Sequence, residues 1–121
     1  MKFKAIEVVS IPVADQEVAK AFYHETLGFE LVVDTPFEEG KRWIQLKPES
    51  GSGTSISLVS WFENMPAGSV QGLVIGVDNV DEATQVFEKN GVRISAAYQT
   101  PWGRFANFSD PDGNGWMLHQ E

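Results

Sequence analysis

GLVIGVDN, residues 72–79, repeats the grammar of VVSIPVAD, residues 8–15, and that repetition decides the fold. In the earlier stretch Val9, Ile11 and Val13 fall on alternate positions, the period of a strand with one face on a core; in the later one Leu73, Ile75 and Val77 do the same. Each run then reaches a residue suited to cap a helix, Asp15 or Asn79. After Asp15 the sequence predicts a helix with a polar first turn of Gln16 and Glu17 and an apolar stripe of Val18, Ala21 and Phe22, ended by Gly28 at the C′ position. After Asn79 it predicts a helix carrying Val80, Ala83, Val86 and Phe87 that stops at Asn90-Gly91.

Extended pieces follow each helix: FELVVD, RWIQLK and SISLVS in the first half, VRISAA, RFANFS and GWMLHQ in the second. Each half therefore reads βαβββ, over about residues 4–62 and 69–121, within a single domain 1–121. Between the last two strands of each half lies a turn-rich segment, PESGSG (48–53) or DPDG (110–113). Asp110, Pro111 and Gly113 suit positions i, i+1 and i+3 of a type I turn. DTPFEEGKR (34–42) reads as a longer exposed loop able to cover a site.

A βαβββ half has one helix for four strands, so one sheet face stays bare. Two such halves predict an α+β fold, a curved mixed sheet with helices outside and a concave surface within, where a cleft is expected.

Composition narrows the function. The 121 residues carry a formal net charge of −8, which repels nucleic acid and anionic membranes and favours neutral or cationic small molecules. No apolar run approaches the roughly 20 residues of a membrane span, and MKFKAIEVV lacks the long apolar region of a signal peptide, so a cytoplasmic location is expected. Cysteine is absent, which excludes disulfides, thiolate metal sites and cysteine nucleophiles. GSGTS (51–55) lacks the lysine of a phosphate loop, there is no GxSxG, and Glu38-Glu39, Asp81-Glu82 and Asp110/Asp112 sit where solvation, a helix N-terminus or a turn explains them.

The whole organisation resembles the vicinal oxygen chelate superfamily, the glyoxalase/bleomycin resistance/dioxygenase fold. The likeness rests on IPVADQEVAKAFYHETLGFEL, on VIGVDNVDEATQVFEKNGV and, most specifically, on TPWGRFANFSDPDGNGWML with its WG followed by DPDGN. In metal-dependent members the resemblance implies four ligands, usually His, Glu or Gln, on the first and last strands of each half. Carried onto this sequence, those places fall on Val8, Ser57, Gly72 and Met117, none of which is a normal ligand for zinc, nickel, iron or manganese. A one-residue slip would substitute Glu7 and Gln71 but would turn the apolar sets of both strands outward.

The expectation is therefore a metal-free and cofactor-free cleft without assigned catalytic residues, lined by Trp43, Gln45, Ser57, Phe105, Asn107, Met117 and His119, with Trp102 of PWGR as a second stacking ring beside Trp43. Such a lining suits a planar or cationic organic compound, held for sequestration as in the bleomycin-resistance proteins. The alternative is a metal-dependent lyase or dioxygenase with an atypical ligand set that includes Glu7, Gln71 and His119. The resemblance also implies a homodimer, and exposed sheet edges give an independent reason to expect one.

Overall fold

Asp15 does what its place in the sequence predicts: in the computed structural model, which describes residues 1–48 and 53–121, its carboxylate accepts from the backbone N–H groups of Glu17 and Val18. Helix α1 (Gln16–Lys20) starts there, and α2 (Val80–Lys89) starts at Asn79, whose side chain accepts from the Glu82 N–H at 2.9 Å. The described strands are β1 (Val8–Pro12), β2 (Glu30–Glu38), β3 (Lys41–Lys47) and β4 (Ser55–Val59), then β5 (Leu73–Gly76), β6 (Tyr98–Thr100), β7 (Gly103–Ser109) and β8 (Gly115–Gln120).

They form two four-stranded mixed sheets of order β1-β4-β3-β2 and β5-β8-β7-β6. In each, the first strand runs parallel to the last and the other pairs are antiparallel, so the repeat read in the sequence is a repeat of topology. Each half contributes its own hydrogen-bond ladder, one sheet per βαβββ module.

Alternation divides each strand between two roles. Ile11, Ile44, Leu46, Ile56 and Leu58 of the first sheet and Ala106, Phe108, Trp116 and Leu118 of the second enter one core, which takes in Ala19, Tyr23 and Val80 from the helical segments. Their sequence neighbours Ser10, Trp43, Gln45, Ser57, Phe105, Asn107, Met117 and His119 therefore stand on the opposite faces of the pleat.

Several local expectations are corrected. Residues 34–42 are mostly strand: β2 and β3 run to a tight hairpin whose Gly40 has φ +74°, because Thr35, Phe37, Arg42 and Trp43 favour extended backbone once glycine supplies the turn. VRISAA contributes a single bridge, Ile94 to Phe108, and the outer strand of the second sheet is the shorter β6 beyond it. The turn reading at PESGSG and the GSGTS segment fall partly or mainly on residues 49–52, outside the described residues.

The first helix also departs from its expected stripe. Beyond Lys20 it widens into a π-helical segment, Ala21–Thr26, in which the Leu27 N–H reaches back five residues to the Phe22 carbonyl. The buried side becomes Gln16, Ala19 and Tyr23, while Val18 is 53% exposed. Gln16, expected in solvent, ties α1 to the sheet: its Nε2 donates to the carbonyls of Arg42 and Leu58 at 2.7 and 2.8 Å, and its Oε1 accepts from the Arg42 N–H.

The DPDG turn forms as expected, with the Gly113 N–H donating to the Asp110 carbonyl at 3.0 Å. It is also the joint between the halves. Buried Asp110 accepts from the Tyr23 hydroxyl at 2.7 Å and from Asn114 Nδ2 at 2.8 Å, and Asn114 Nδ2 donates in addition to the Pro12 carbonyl. Trp116 Nε1 donates to the Tyr23 oxygen at 2.9 Å.

Candidate functional site

Two sheet faces turned away from the core carry the residues singled out in the sequence. On the first face Trp43 and Gln45 are neighbours on β3, and the Trp43 indole N–H donates to Gln45 Oε1 at 3.1 Å. Gln45 lies beside Ser57 of β4 in the sheet register, and Ser57 lies beside Ser10, with hydroxyl oxygens 3.4 Å apart. Towards the hairpin tip this face ends in a second aromatic group: Phe37 meets Trp61 edge-on at 5.2 Å, and Lys41 Nζ, bonded to Glu38, stands 5.8 Å above the Trp61 ring.

On the second face Phe105 is the middle of a three-ring column. Its ring lies 4.7 Å from His119 at an interplanar angle of 27°, and 6.0 Å from Tyr98 at 22°, both offset-stacked distances. The register of β7 on β8 sets the column, since Phe105 is opposite His119 and Asn107 is opposite Met117. The Tyr98 hydroxyl donates across to Asn107 Oδ1 at 2.8 Å. His119 Nε2 lies 2.9 Å from the Trp102 carbonyl, which can only accept, so this nitrogen donates. A side chain at Gly103 would strike His119 and the Gln120 carbonyl, which is why the residue there has none and adopts φ +131°.

Six of the eight singled-out residues thus fall into two groups, Trp43-Gln45-Ser57 and Phe105-Asn107-His119, with Met117 beside Asn107. Trp102 stands apart, 79% exposed on the turn between β6 and β7, with its backbone rather than its ring engaged to His119. Tyr98 escaped the sequence reading because the strand was placed at 92–97. The signal available was an aromatic residue in YQT directly before the PWG turn.

The acidity of the chain lies elsewhere. Asp34, on the core side of β2, bonds Lys20 Nζ and Arg42 at 2.6 Å each, and the Arg42 and Lys20 hydrogen bonds lower its pKa to about 2. Asp81 takes a two-pronged contact from Arg104 at 2.7 and 2.8 Å, which lowers its pKa as well. Tyr23 is pushed well above the ordinary phenol range, first by burial and then by the Asp110 carboxylate its hydroxyl faces.

A metal of the kind the fold supports in other proteins does not fit. Val8, Ser57, Gly72 and Met117 offer one hydroxyl and one thioether, and Ser57 is already directed at Ser10. The alternative set is not assembled either. Gln71 is tied to the Gly68 and Gly113 carbonyls before the start of β5, whereas His119 pairs with Gly76 at the other end of that strand. Among the described residues no group of three or more His, Asp or Glu side chains is placed to hold a metal ion.

Cavities of about 710, 590, 420 and 380 Å³ among the described residues are lined mainly by other residues. That of about 710 Å³ lies on the helix side, between the π-helical segment and residues 90–95. The third is an apolar groove where β1 meets β5, among Ile6, Val9, Ile56, Leu73, Val74 and Trp116. On the two candidate walls Ser57 is fully buried, Trp43, Gln45, Phe105, Met117 and His119 are half-buried, and Tyr98 and Asn107 are exposed.

Comparison with known proteins agrees with this geometry. A family model, the Glyoxalase/Bleomycin resistance protein/Dioxygenase superfamily, matches residues 5–118. The solved structure of TnmS3, an antibiotic binding protein from Streptomyces sp. CB03234, is similar at 46% identity and a TM-score of 0.93, covering 99% of this chain and 98% of that one. A superfamily member from Sphaerobacter thermophilus DSM 20745 is similar at 34% identity and a TM-score of 0.88, covering 98% of each chain. Among sequence relatives, YetH of Bacillus subtilis (strain 168) is 31% identical over 97% of this chain and 98% of its own length.

Proposed function

This chain belongs to the glyoxalase/bleomycin resistance protein/dioxygenase superfamily, and from that premise we propose that it is a metal-free binding protein for a planar organic compound, acting by sequestration. The observation that carries the reading is the Tyr98-Phe105-His119 column, three stacked rings on the sheet face turned away from the core, a ready plane for a flat ligand beyond what cross-strand pairing alone uses. Trp43 supplies a large apolar plane on the other wall, and its ring is held by the bond to Gln45. Stacking between such planes removes water from both ligand faces, while amide, hydroxyl and imidazole groups at the edges set orientation. The likeness to an antibiotic binding protein supports the same reading.

The working unit is a homodimer. Each chain offers two walls on separate sheets, and a two-fold copy would set the first wall of one protomer against the second wall of its partner. Exposure of Phe3, Ile6 and Val74 around the open β1 and β5 edges supports this arrangement.

The test is a titration followed by tryptophan fluorescence, using 9-aminoacridine as a cationic planar probe and N-methyl-1,8-naphthalimide as a neutral one, alongside elemental analysis after equilibration with nickel, zinc, manganese and ferrous iron. Expected are saturable binding of a planar probe, no stoichiometric metal, and a loss of about 1–3 kcal/mol of binding free energy in Trp43→Ala. Tightly retained metal at one per chain, or the absence of binding by either probe, would overturn the reading.

A further inference from the structure

The two walls carry the same device. Gln45 lies beside Ser57 and Asn107 beside Met117, and Ser57 and Met117 hold corresponding places in the last strands of the two halves. Gln45 and Asn107 are therefore equivalent positions of the repeat. In each, an aromatic neighbour occupies the amide oxygen: the Trp43 indole N–H at Gln45, the Tyr98 hydroxyl at Asn107. In each, the amide NH2 has no hydrogen-bond partner among the described residues. The indole nitrogen only donates, so it fixes which end of Gln45 is which and directs the NH2 group away from Trp43.

We propose, resting on the ligand-binding reading above, that Gln45 and Asn107 are a matched pair of donors that select planar ligands bearing acceptor oxygens such as ring carbonyls. The physical basis is the ledger of donors and acceptors. A carbonyl oxygen meeting either NH2 group completes a bond that the protein leaves open, and a hydrocarbon of the same shape covers that group and strips its water without replacement. A protonated amine presents N–H to N–H and gains nothing at either position. Two separate walls with the same polarity imply acceptors at more than one edge of the ligand.

The experiment compares N-methyl-1,8-naphthalimide, with two ring carbonyls, and acenaphthene, a peri-bridged naphthalene with none, on the full chain and on Gln45→Glu, Asn107→Asp and Trp43→Ala. Glu in Gln45→Glu still accepts from Trp43 and Asp in Asn107→Asp still accepts from Tyr98, so each acid variant keeps its aromatic contact, loses the donor and gains a carboxylate charge that repels a carbonyl oxygen and leaves the hydrocarbon probe as the reference. The reading is the ratio of the two affinities. The natural chain should favour the imide by about tenfold or more, and the ratio should fall about tenfold in each acid variant, as expected for the loss of one hydrogen bond plus an uncovered acceptor. Trp43→Ala should weaken both probes, because a lost plane serves both alike, and should lower the ratio no further than Gln45→Glu does, because it frees the Gln45 amide without removing its donor. Equal affinities in the natural chain, or an undiminished ratio in both acid variants, would overturn the donor-pair proposal while the site stands. Binding of neither probe would overturn the site itself and this proposal with it.

Discussion

Replacing Tyr23 by Phe removes a single oxygen from the place where the halves meet, and the structure says what that oxygen does. It donates to Asp110 at 2.7 Å and accepts from the Trp116 indole at 2.9 Å, and all three residues are buried. The variant keeps the ring and its edge-on contacts with Phe22 and Trp116. Asp110 retains Asn114 and two backbone donors, so its loss is one bond to a carboxylate, about 1.5–3 kcal/mol. Trp116 retains no other partner for its N–H among the described residues, and an unsatisfied buried donor costs about 1–3 kcal/mol. With partial overlap between the two, the total comes to about 3–5 kcal/mol, a large share of the 5–15 kcal/mol typical of a domain.

Urea unfolding followed by tryptophan fluorescence would read this as a fall in midpoint of about 1–3 M at unchanged slope. A cycle with Trp116→Phe, which takes away the donor as well, should show coupling of at least about 1 kcal/mol. A loss below about 0.5 kcal/mol in Tyr23→Phe would refute the account of the joint. The phenol adds a pH signature. Its raised pKa means that folding favours the protonated form, so its contribution is complete below pH 10 and declines above it by about 1.4 kcal/mol per pH unit. Tyr23→Phe should lack that alkaline decline.

Other outcomes can be checked alongside. The Arg42 and Lys20 hydrogen bonds lower the pKa of Asp34 from the ordinary carboxylate range to about 2, so its stabilisation is complete above pH 4 and lost as pH falls through 2; acid unfolding should show a contribution of about 1–2 kcal/mol in that window, absent in Asp34→Asn and reduced by salt. Gly103→Ala, at φ +131° and against His119, should displace the imidazole from the Trp102 carbonyl and lower both stability, by about 1–3 kcal/mol, and probe affinity; unchanged binding would separate His119 from the site. Gln16→Leu leaves the Arg42 and Leu58 carbonyls without a donor and should cost about 2–4 kcal/mol in urea unfolding, whereas Gln16→Glu should retain only the bond from the Arg42 N–H.

Strand alternation made the duplicated fold legible. Val9-Ile11-Val13 and Leu73-Ile75-Val77, each followed by a capping residue, define equivalent starts, and the topology repeats as those starts imply. The same alternation placed Trp43, Gln45, Phe105, Asn107 and His119 on outward faces, because a period of two leaves no freedom once the core set is known. What it does not encode is reach. Tyr98 enters the site through a strand too short for a periodic signal, and Tyr23 enters the core through a π-helical register that a helical stripe of period 3.6 misplaces. Asp110 and Gln16 have polar side chains that read as solvent-facing, and they are buried because distant carbonyls and hydroxyls satisfy them, pairings separated by as many as 87 positions in the chain.

The pleat that sorts residues between core and outward face has a consequence for how such a protein changes over time. Positions 43, 45, 105, 107 and 119 alternate with Ile44, Leu46, Ala106 and Leu118 and lie on the opposite face of the pleat from the core, so substitutions there leave the core side chains in place. On the proposed function, a lineage carrying this scaffold can exchange its target compound through a handful of substitutions on two surfaces without passing through unfolded intermediates. Gly103 is the exception, since there a change meant for the ligand would fall on the chain itself.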